Sequence, residues 1–221
     1  MYKRFSVLLV CSLVILSVFD SCAGFRSKKN VPMLVPPESV LVSMEEPVMG
    51  KGKMSAKALS AFLLKYNPAL GKSFTDAFVV YYIDEARAEG VNADIAFAQM
   101  CIETGFLSFR GQVTPDMNNF AGLGTTGEPG VKGERFPTPQ IGVRAQIQHL
   151  KAYATAEPLN GKLVDTRYKW VKYGSAPTIA DLAGKWAADK DYGRKIQSMM
   201  ERLYTFSKTG DSDISVAFGH G

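Results

Sequence analysis

The feature that most limits what this chain can fold into is the run Ile95-Ala96-Phe97-Ala98-Gln99-Met100-Cys101-Ile102, apolar at every position but one. Asn92 or Asp94 stands ready to cap it, so the run reads as a helix without a polar face, and such a helix must be buried on nearly all sides. Glu103 follows immediately at the C-terminal end, ahead of Thr104-Gly105. A carboxylate is doubly disfavoured there. The helix macrodipole puts partial negative charge at that end, and burial penalises the charged form. Both effects keep the proton on, and a carboxylic acid still protonated at neutral pH suits general acid catalysis. From pattern alone, a partly exposed Glu in a last helical turn is the commoner occurrence.

The other segments also read as helices. Ser55 is a plausible N-cap for a helix carrying Leu59, Phe62 and Leu63 at helical spacing, and Asn67-Pro68 would end it. Phe74 to Ala88 presents Phe78, Tyr81, Tyr82 and Ala86, with Gly90 as the stop. Between Gly105 and Pro139 the texture turns glycine-rich, too long for an ordinary helix connection and typical of functional loops; a short hairpin is expected around Gly127 to Gly133. Helix resumes near Gln140 with Ile141, Val143, Ile147, Leu150 and Tyr153. Thr178 or Asp181 begins a further helix containing Leu182 and Trp186, and Tyr192 to Phe206 makes the last, with Ile196, Met199, Met200 and Leu203 inward. The fold class is mainly α, with a short loop or β-hairpin lobe, in a folded domain over 55–208; 209–221 reads as a flexible tail.

The N-terminus reads as an export signal, because Lys3 and Arg4 precede an apolar run from Phe5 to Phe19. That run is shorter than the ~20 apolar residues a membrane-spanning helix needs. Leu16 to Gly24 resembles a bacterial lipoprotein signal, with cleavage before an acylated Cys22; Phe19 and Asp20 depart from the common Leu-Ala-Gly-Cys pattern, and ordinary cleavage near Ala23 is the alternative. The expectation is a signal peptide over 1–21, then a lipid-anchored flexible tether over 22–54 that carries Pro32, Pro36, Pro37 and Pro47. The mature protein would then be a membrane-anchored lipoprotein of the cell envelope. Cys11 leaves with the signal and Cys22 takes lipid, so Cys101 has no disulfide partner. The net charge of +5 would suit an anionic partner, but much of it sits in the leader and tether (Lys3, Arg4, Arg26, Lys28, Lys29, Lys51, Lys53) and says little about the folded body. With only His149 and His220 available and no clustered cysteine or carboxylate ligands, a zinc site is not expected. Cys101 lies late in its helix between Met100 and Ile102, the wrong setting for a reactive thiolate paired with His149. No nucleotide-binding glycine loop is present, and no nucleic-acid partner is implied.

Four segments in order carry a resemblance. Ala96-Phe97-Ala98-Gln99-Met100-Cys101-Ile102-Glu103-Thr104-Gly105, then Asn118-Asn119-Phe120-Ala121-Gly122-Leu123, then Phe136 with Gly142 to Leu150, then Trp186 with Asp191-Tyr192-Gly193 resemble the motifs of the bacterial glucosaminidase family, glycoside hydrolase family 73, over roughly Ser55 to Phe206. The resemblance implies an α+β lysozyme-like helical bundle around a glycan groove, with peptidoglycan glycan strands as substrate and no metal or cofactor. It implies Glu103 as the general acid. Asn119 would hydrogen-bond a sugar or orient Glu103, Tyr192 would position or polarise the substrate's N-acetyl group, and Phe120 and Trp186 are further substrate-binding candidates, although Phe120 also fits a packing role. A second carboxylate is ordinarily needed. Glu134, Glu128 and Asp116 are the candidates, with Glu134 preferred and Glu128 retained as a substrate-binding position; the substrate's own acetamido group is the alternative. The expected reaction is hydrolysis of the β-1,4 bond between N-acetylglucosamine and N-acetylmuramic acid by a monomer. The competing readings are a muramidase or lytic transglycosylase, and a catalytically inactive wall-binding lipoprotein.

Overall fold

The computed structural model describes residues 40–125, 130, 131 and 133–209, which fall in one unit, Pro36–Gly221. The signal peptide, Cys22, most of the expected hairpin, Glu128 and the tail beyond residue 209 lie outside the described residues.

Among the described residues five α-helices form the body, as the expectation of a mainly α fold requires: α1 Ala56–Tyr66, α2 Lys72–Glu89, α3 Ala93–Thr104, α4 Pro139–Ala154 and α5 Tyr192–Thr209. Their ends follow the sequence punctuation. Ser55 accepts a hydrogen bond from the Ala58 N–H at 3.2 Å, Asn92 from Asp94 at 3.0 Å and Thr138 from Ile141 at 3.2 Å, each satisfying an orphan donor of a first turn. Gly90 and Gly105 close α2 and α3 in the left-handed conformation. The helix α3 has Ile95 through Cys101 buried along its length; α2 and α4 pack on one side of it, and α5 on the other, with α1 against α2 and α5.

Residues 40–54 are not part of the flexible tether that the prolines of 22–54 led one to expect. They form an extended strap laid on the helices, in which Val42, Met44, Glu46 and Val48 turn inward while Leu41, Ser43, Glu45 and Pro47 face solvent. The Val48 N–H donates to the Pro177 carbonyl and the Val48 carbonyl accepts from Asn92 N–H, both at 2.9 Å, and isolated bridges join Pro47 to Thr178 and Met49 to Val91. Asp94, fully buried in the first turn of α3, then takes the Lys53 N–H at 2.7 Å and the Tyr204 hydroxyl of α5 at 2.9 Å. A carboxylate at a helix N-terminus sits at the favourable end of the dipole. The folded body therefore includes the strap and does not begin at Ser55.

A second correction concerns the expected helix from Thr178 or Asp181 through Trp186. Only a single 3-10 turn forms, Ala180–Leu182, because Ala183 becomes extended and Gly184 takes a positive φ of 72°, with its N–H turned to the Ala187 carbonyl. Thr178 and Asp181 bond each other instead, at 2.7 Å between hydroxyl and carboxylate. Trp186 is thus carried by an irregular loop.

The long connection between α3 and α4 is pressed directly on α4 at Gly142. A Cβ there would stand 1.7 Å from the Asn118 carbonyl oxygen, a contact no side chain survives. Asn118 itself has a φ of 50° and donates from Nδ2 to the Phe136 carbonyl at 2.9 Å. Gly142→Ala is expected to destabilise by more than the ~1–3 kcal/mol usual for overpacking, whereas Gly111→Ala, where a Cβ meets nothing within 4 Å, should stay within about 0.5 kcal/mol of the parent. Urea unfolding of the two variants checks this.

Candidate active site

Glu103 occupies the last turn of α3, where the helix reaches the surface and its carboxyl is half-buried. The chain turns sharply behind it, with Gly105, Phe106 and Leu107 all at positive φ. The turn is held because Thr104 Oγ1 donates to the Met100 carbonyl at 2.7 Å and accepts the Leu107 N–H at 2.8 Å. The Phe106 ring also stacks on Tyr66 at 4.4 Å, with the Arg202 guanidinium 4.8 Å from the Tyr66 ring centre.

Tyr192 holds the Glu103 carboxyl. The Tyr192 hydroxyl, from the first residue of α5, donates to Oε1 at 2.5 Å, and the Trp186 indole adds an influence that lowers the carboxyl's pKa. Burial raises the Glu103 pKa above the usual carboxylate range, against the opposing influence of Tyr192, Trp186 and the positive charge of Lys195. Lys195 itself is paired with Asp189 at 2.6 Å. The other oxygen, Oε2, looks toward Gly122, where a Cβ would come within 3.6 Å of it. Gly122, with a φ of 65°, belongs to the loop 119–125 that forms the opposite wall.

That wall opens into a cavity of about 250 Å³, whose lining includes Gly122, His149, Tyr153, Arg167, Trp170 and Trp186. Trp170 is 70% exposed, and the Trp186 ring is braced edge-on by His149 at 5.0 Å. His149 is in turn fixed by Asp165, 2.7 Å from Nδ1. Aromatic faces beside a carboxyl whose pKa is raised, open to solvent, match the needs of a sugar-binding cleft. Among the described residues no cluster of three or more His, Cys, Asp or Glu is arranged to hold a metal ion.

Two expected substrate contacts are structural instead. Asn119 is fully buried, and its amide organises the wall: Nδ2 donates to the carbonyls of Leu123 at 2.8 Å and Glu134 at 3.0 Å, while Oδ1 accepts from the N–H of Leu123 at 3.0 Å. It neither orients Glu103 nor faces the groove. Phe120 is only 4% exposed and packs edge-on against Phe78 at 4.8 Å, so it belongs to the core. Tyr192 is 3% exposed with its hydroxyl committed to Glu103, which leaves no free group for a substrate N-acetyl. Of the carboxylates, Asp116 is held by Arg135 at 2.6 Å on the surface. Its pKa is lowered by hydrogen bonds from Thr114 and Arg135. Glu134 is stitched to the wall through its N–H to the Leu123 carbonyl at 2.8 Å, and its side chain lies against Gly124. Tyr153, His149 and Arg167 carry no groove signal in the sequence, whereas Trp170, with Tyr168 and Tyr173, reads there as a candidate glycan-groove aromatic against a default of helix packing. Trp170 and Arg167 come from a stretch without periodicity, and only aromatic composition marked it.

The glucosaminidase family, described as mannosyl-glycoprotein endo-beta-N-acetylglucosaminidase, matches residues 79–205. The chain belongs to this family. As a member it is a glycoside hydrolase. It is 42% identical over 165 residues to an uncharacterised protein of Borreliella burgdorferi, covering 75% of this chain and 80% of that one. Among solved structures it is similar to autolysin E of S. aureus in complex with a muropeptide (TM-score 0.46, 14% identity, 78% of this chain and 76% of that one). It is similar also to a catalytic mutant of the same enzyme in complex with the disaccharide NAG-NAM (TM-score 0.47, 15% identity, 77% and 75%).

The raised Glu103 pKa has a cost in stability with a definite sign. The folded state holds this proton above pH 4.5, where the unfolded chain has released it, so stability falls as pH rises from 4.5 through the folded-state value and then levels off. Glu103→Gln lacks this loss. Relative to wild type, its thermal midpoint is expected to climb between pH 4.5 and neutrality; a difference that stays flat or reverses would show that the carboxyl titrates normally.

Proposed function

We propose that this glycoside hydrolase acts on peptidoglycan, cutting the β-1,4 bond between N-acetylglucosamine and N-acetylmuramic acid with Glu103 as general acid. The observation that carries the reading is the Glu103 carboxyl itself: its pKa raised by burial, one oxygen held by the Tyr192 hydroxyl, and Oε2 set beside Gly122, a residue of the cavity that Trp170 and Trp186 also line. A donor held in this way can deliver its proton to a leaving glycosidic oxygen laid along the groove. Trp170 and Trp186 offer faces for sugar rings, and Arg167 offers a cation for the carboxylates of a muramyl residue.

We assign the second carboxylate to Glu134, the acid whose backbone is tied to the wall facing Glu103. Digestion of purified peptidoglycan should release fragments with reducing-end N-acetylglucosamine; reducing-end or 1,6-anhydro muramic acid would instead assign the other bond. Glu103→Gln should abolish digestion while wall binding persists. Glu134→Gln should lose about 10²–10⁴-fold, with partial rescue by azide, a small anion that replaces the missing carboxylate. Unchanged activity in Glu134→Gln would pass that role to the substrate's acetamido group.

The same proposal places the enzyme at the envelope membrane as a lipoprotein acylated on Cys22, on the strength of Lys3-Arg4, the apolar run and Ser21-Cys22. Cys22→Ser should move the protein from the membrane to the soluble fraction and remove labelling by a fatty-acid analogue. Retention of both would refute acylation at this residue.

A further inference from the structure

Four of these five helices each send a polar side chain into the buried interior: Tyr82 from α2, Gln99 from α3, Gln146 from α4 and Tyr192 from α5, all 0–3% exposed. Apolar residues would fill these places without the desolvation cost of an amide or a phenol. The four groups instead form one chain. Tyr82 Oη donates to Gln146 Oε1 at 2.7 Å, Gln146 Nε2 to Gln99 Oε1 at 2.8 Å, Gln99 Nε2 to Tyr192 Oη at 3.1 Å, and Tyr192 Oη to Glu103 Oε1 at 2.5 Å.

The direction of the chain is set by one backbone atom. Gln146 Nε2 also bonds the Ala96 carbonyl at 2.9 Å, and a carbonyl oxygen only accepts, so the amino group of Gln146 must be on that side. That amino group then faces the Gln99 oxygen, which leaves the Gln99 amino group against Tyr192. With its oxygen already accepting from Gln99, the Tyr192 hydroxyl has its own hydrogen left for Glu103. Both phenols keep their protons, since burial pushes each well above the usual tyrosine range.

We infer that Gln99 and Gln146 are positioning residues that fix the Tyr192 hydroxyl as a permanent donor to Glu103 Oε1, so that the proton of the acid is held on Oε2, the oxygen facing Gly122 and the groove. A Tyr192 hydroxyl free to turn could accept a proton from Oε1, and the acid would then point its hydrogen into the protein. The inference rests on Glu103 being the proton donor. Besides Tyr192, the groups acting on this carboxyl are Trp186 from its loop and Lys195 from α5, the latter paired with Asp189. None of these touches Gln99 or Gln146.

Gln99→Met keeps the volume and removes the donor. It should lower kcat about tenfold, part of the ~10²–10⁴ a general acid contributes, with KM unchanged. The alkaline limb of the pH profile should move upward, because a weaker Tyr192 donor stabilises the carboxylate less. On a Tyr192→Phe background the same substitution should cost nothing further, since it acts through that hydroxyl. Gln146→Met should reproduce the effect more weakly. In the wild-type protein the Gln99 side-chain amide resonances should shift with the titration of Glu103, a readout independent of whether either Met variant folds. An unmoved pH limb with wild-type kcat, an additive loss on the Phe background, or Gln99 resonances indifferent to Glu103 would each overturn the inference. Activity surviving Glu103→Gln would sink the assignment of the acid instead, and leaves the Gln99 titration as the measure of the chain alone.

Discussion

The burial of α3 is the constraint on which the rest of the structure depends. A helix apolar from Ile95 to Ile102 except at Gln99 has no face to give to water, so neighbours must enclose it and its two ends become the places where polar chemistry is concentrated. The two ends carry carboxylates in opposite electrostatic settings. At the N-terminus, Asp94 accepts the strap's Lys53 and Met54 N–H groups and the Tyr204 hydroxyl, at the positive end of the helix dipole. At the C-terminus, Glu103 meets the negative end of the dipole in a partly desolvated position, with the Tyr192 hydroxyl, the Trp186 indole and a lysine already paired with Asp189 in compensation. One carboxylate binds the fold together; the other is left in a setting that raises its pKa, which is the property the proposed acid role draws on.

Much of this was legible from the residues. The five helices and most of their caps follow from Ser55, Asn92, Gly90, Gly105 and the spacing of large apolar side chains, because a helix end is a local event and its capping residues stand next to it in the chain. The strap was misread for a physical reason. Its inward set, Val42, Met44, Glu46 and Val48, alternates in period two, but the partners it bonds, Asn92, Pro177 and Glu201, lie far along the chain, and Pro47 within it, with Pro36 and Pro37 before it, imitates a linker. The failed helix at Trp186 has a similar origin: a positive φ at Gly184 decides it, and nothing in the apolar spacing reveals that. At the site, Glu103, Tyr192 and Trp186 were each legible, yet their mutual contact was not, since it joins residues 89 apart in sequence. Asn119 and Phe120 were misassigned because a motif records that residues are required without distinguishing a wall's scaffold from its surface.

The interface between α2 and α4 shows how a helical bundle can hold such a site in register. Tyr82, Glu85 and Glu89 recur at spacings of three and four on α2, so they share one face. Each meets a polar partner across the interface: Tyr82 with Gln146, Glu85 with Arg144 at 2.7 Å, and Glu89 with Lys151 at 3.0 Å. Burial alone would raise both glutamate pKa values. The bonds from Arg144 and Gln140 to Glu85, and from Asn160, Lys151 and Gly161 to Glu89, bring them below the usual range.

Such buried pairs are poor sources of net stability, because well-packed apolar side chains often serve equally well or better. Their value lies in what they forbid. A slip of α4 past α2 by one turn, about 5.4 Å, would retain most apolar contacts in a seam of Leu, Ile and Val, but here it would strand three buried polar groups at once. Gln146 belongs to that seam and also touches Gln99, so the register that satisfies Glu85 and Glu89 is the one that places the Gln146 amide against the Ala96 carbonyl. Ion pairs far from the groove and the orientation of the Tyr192 hydroxyl inside it are therefore consequences of a single helix alignment. An apolar redesign of the seam could leave the protein stable while removing what holds that alignment.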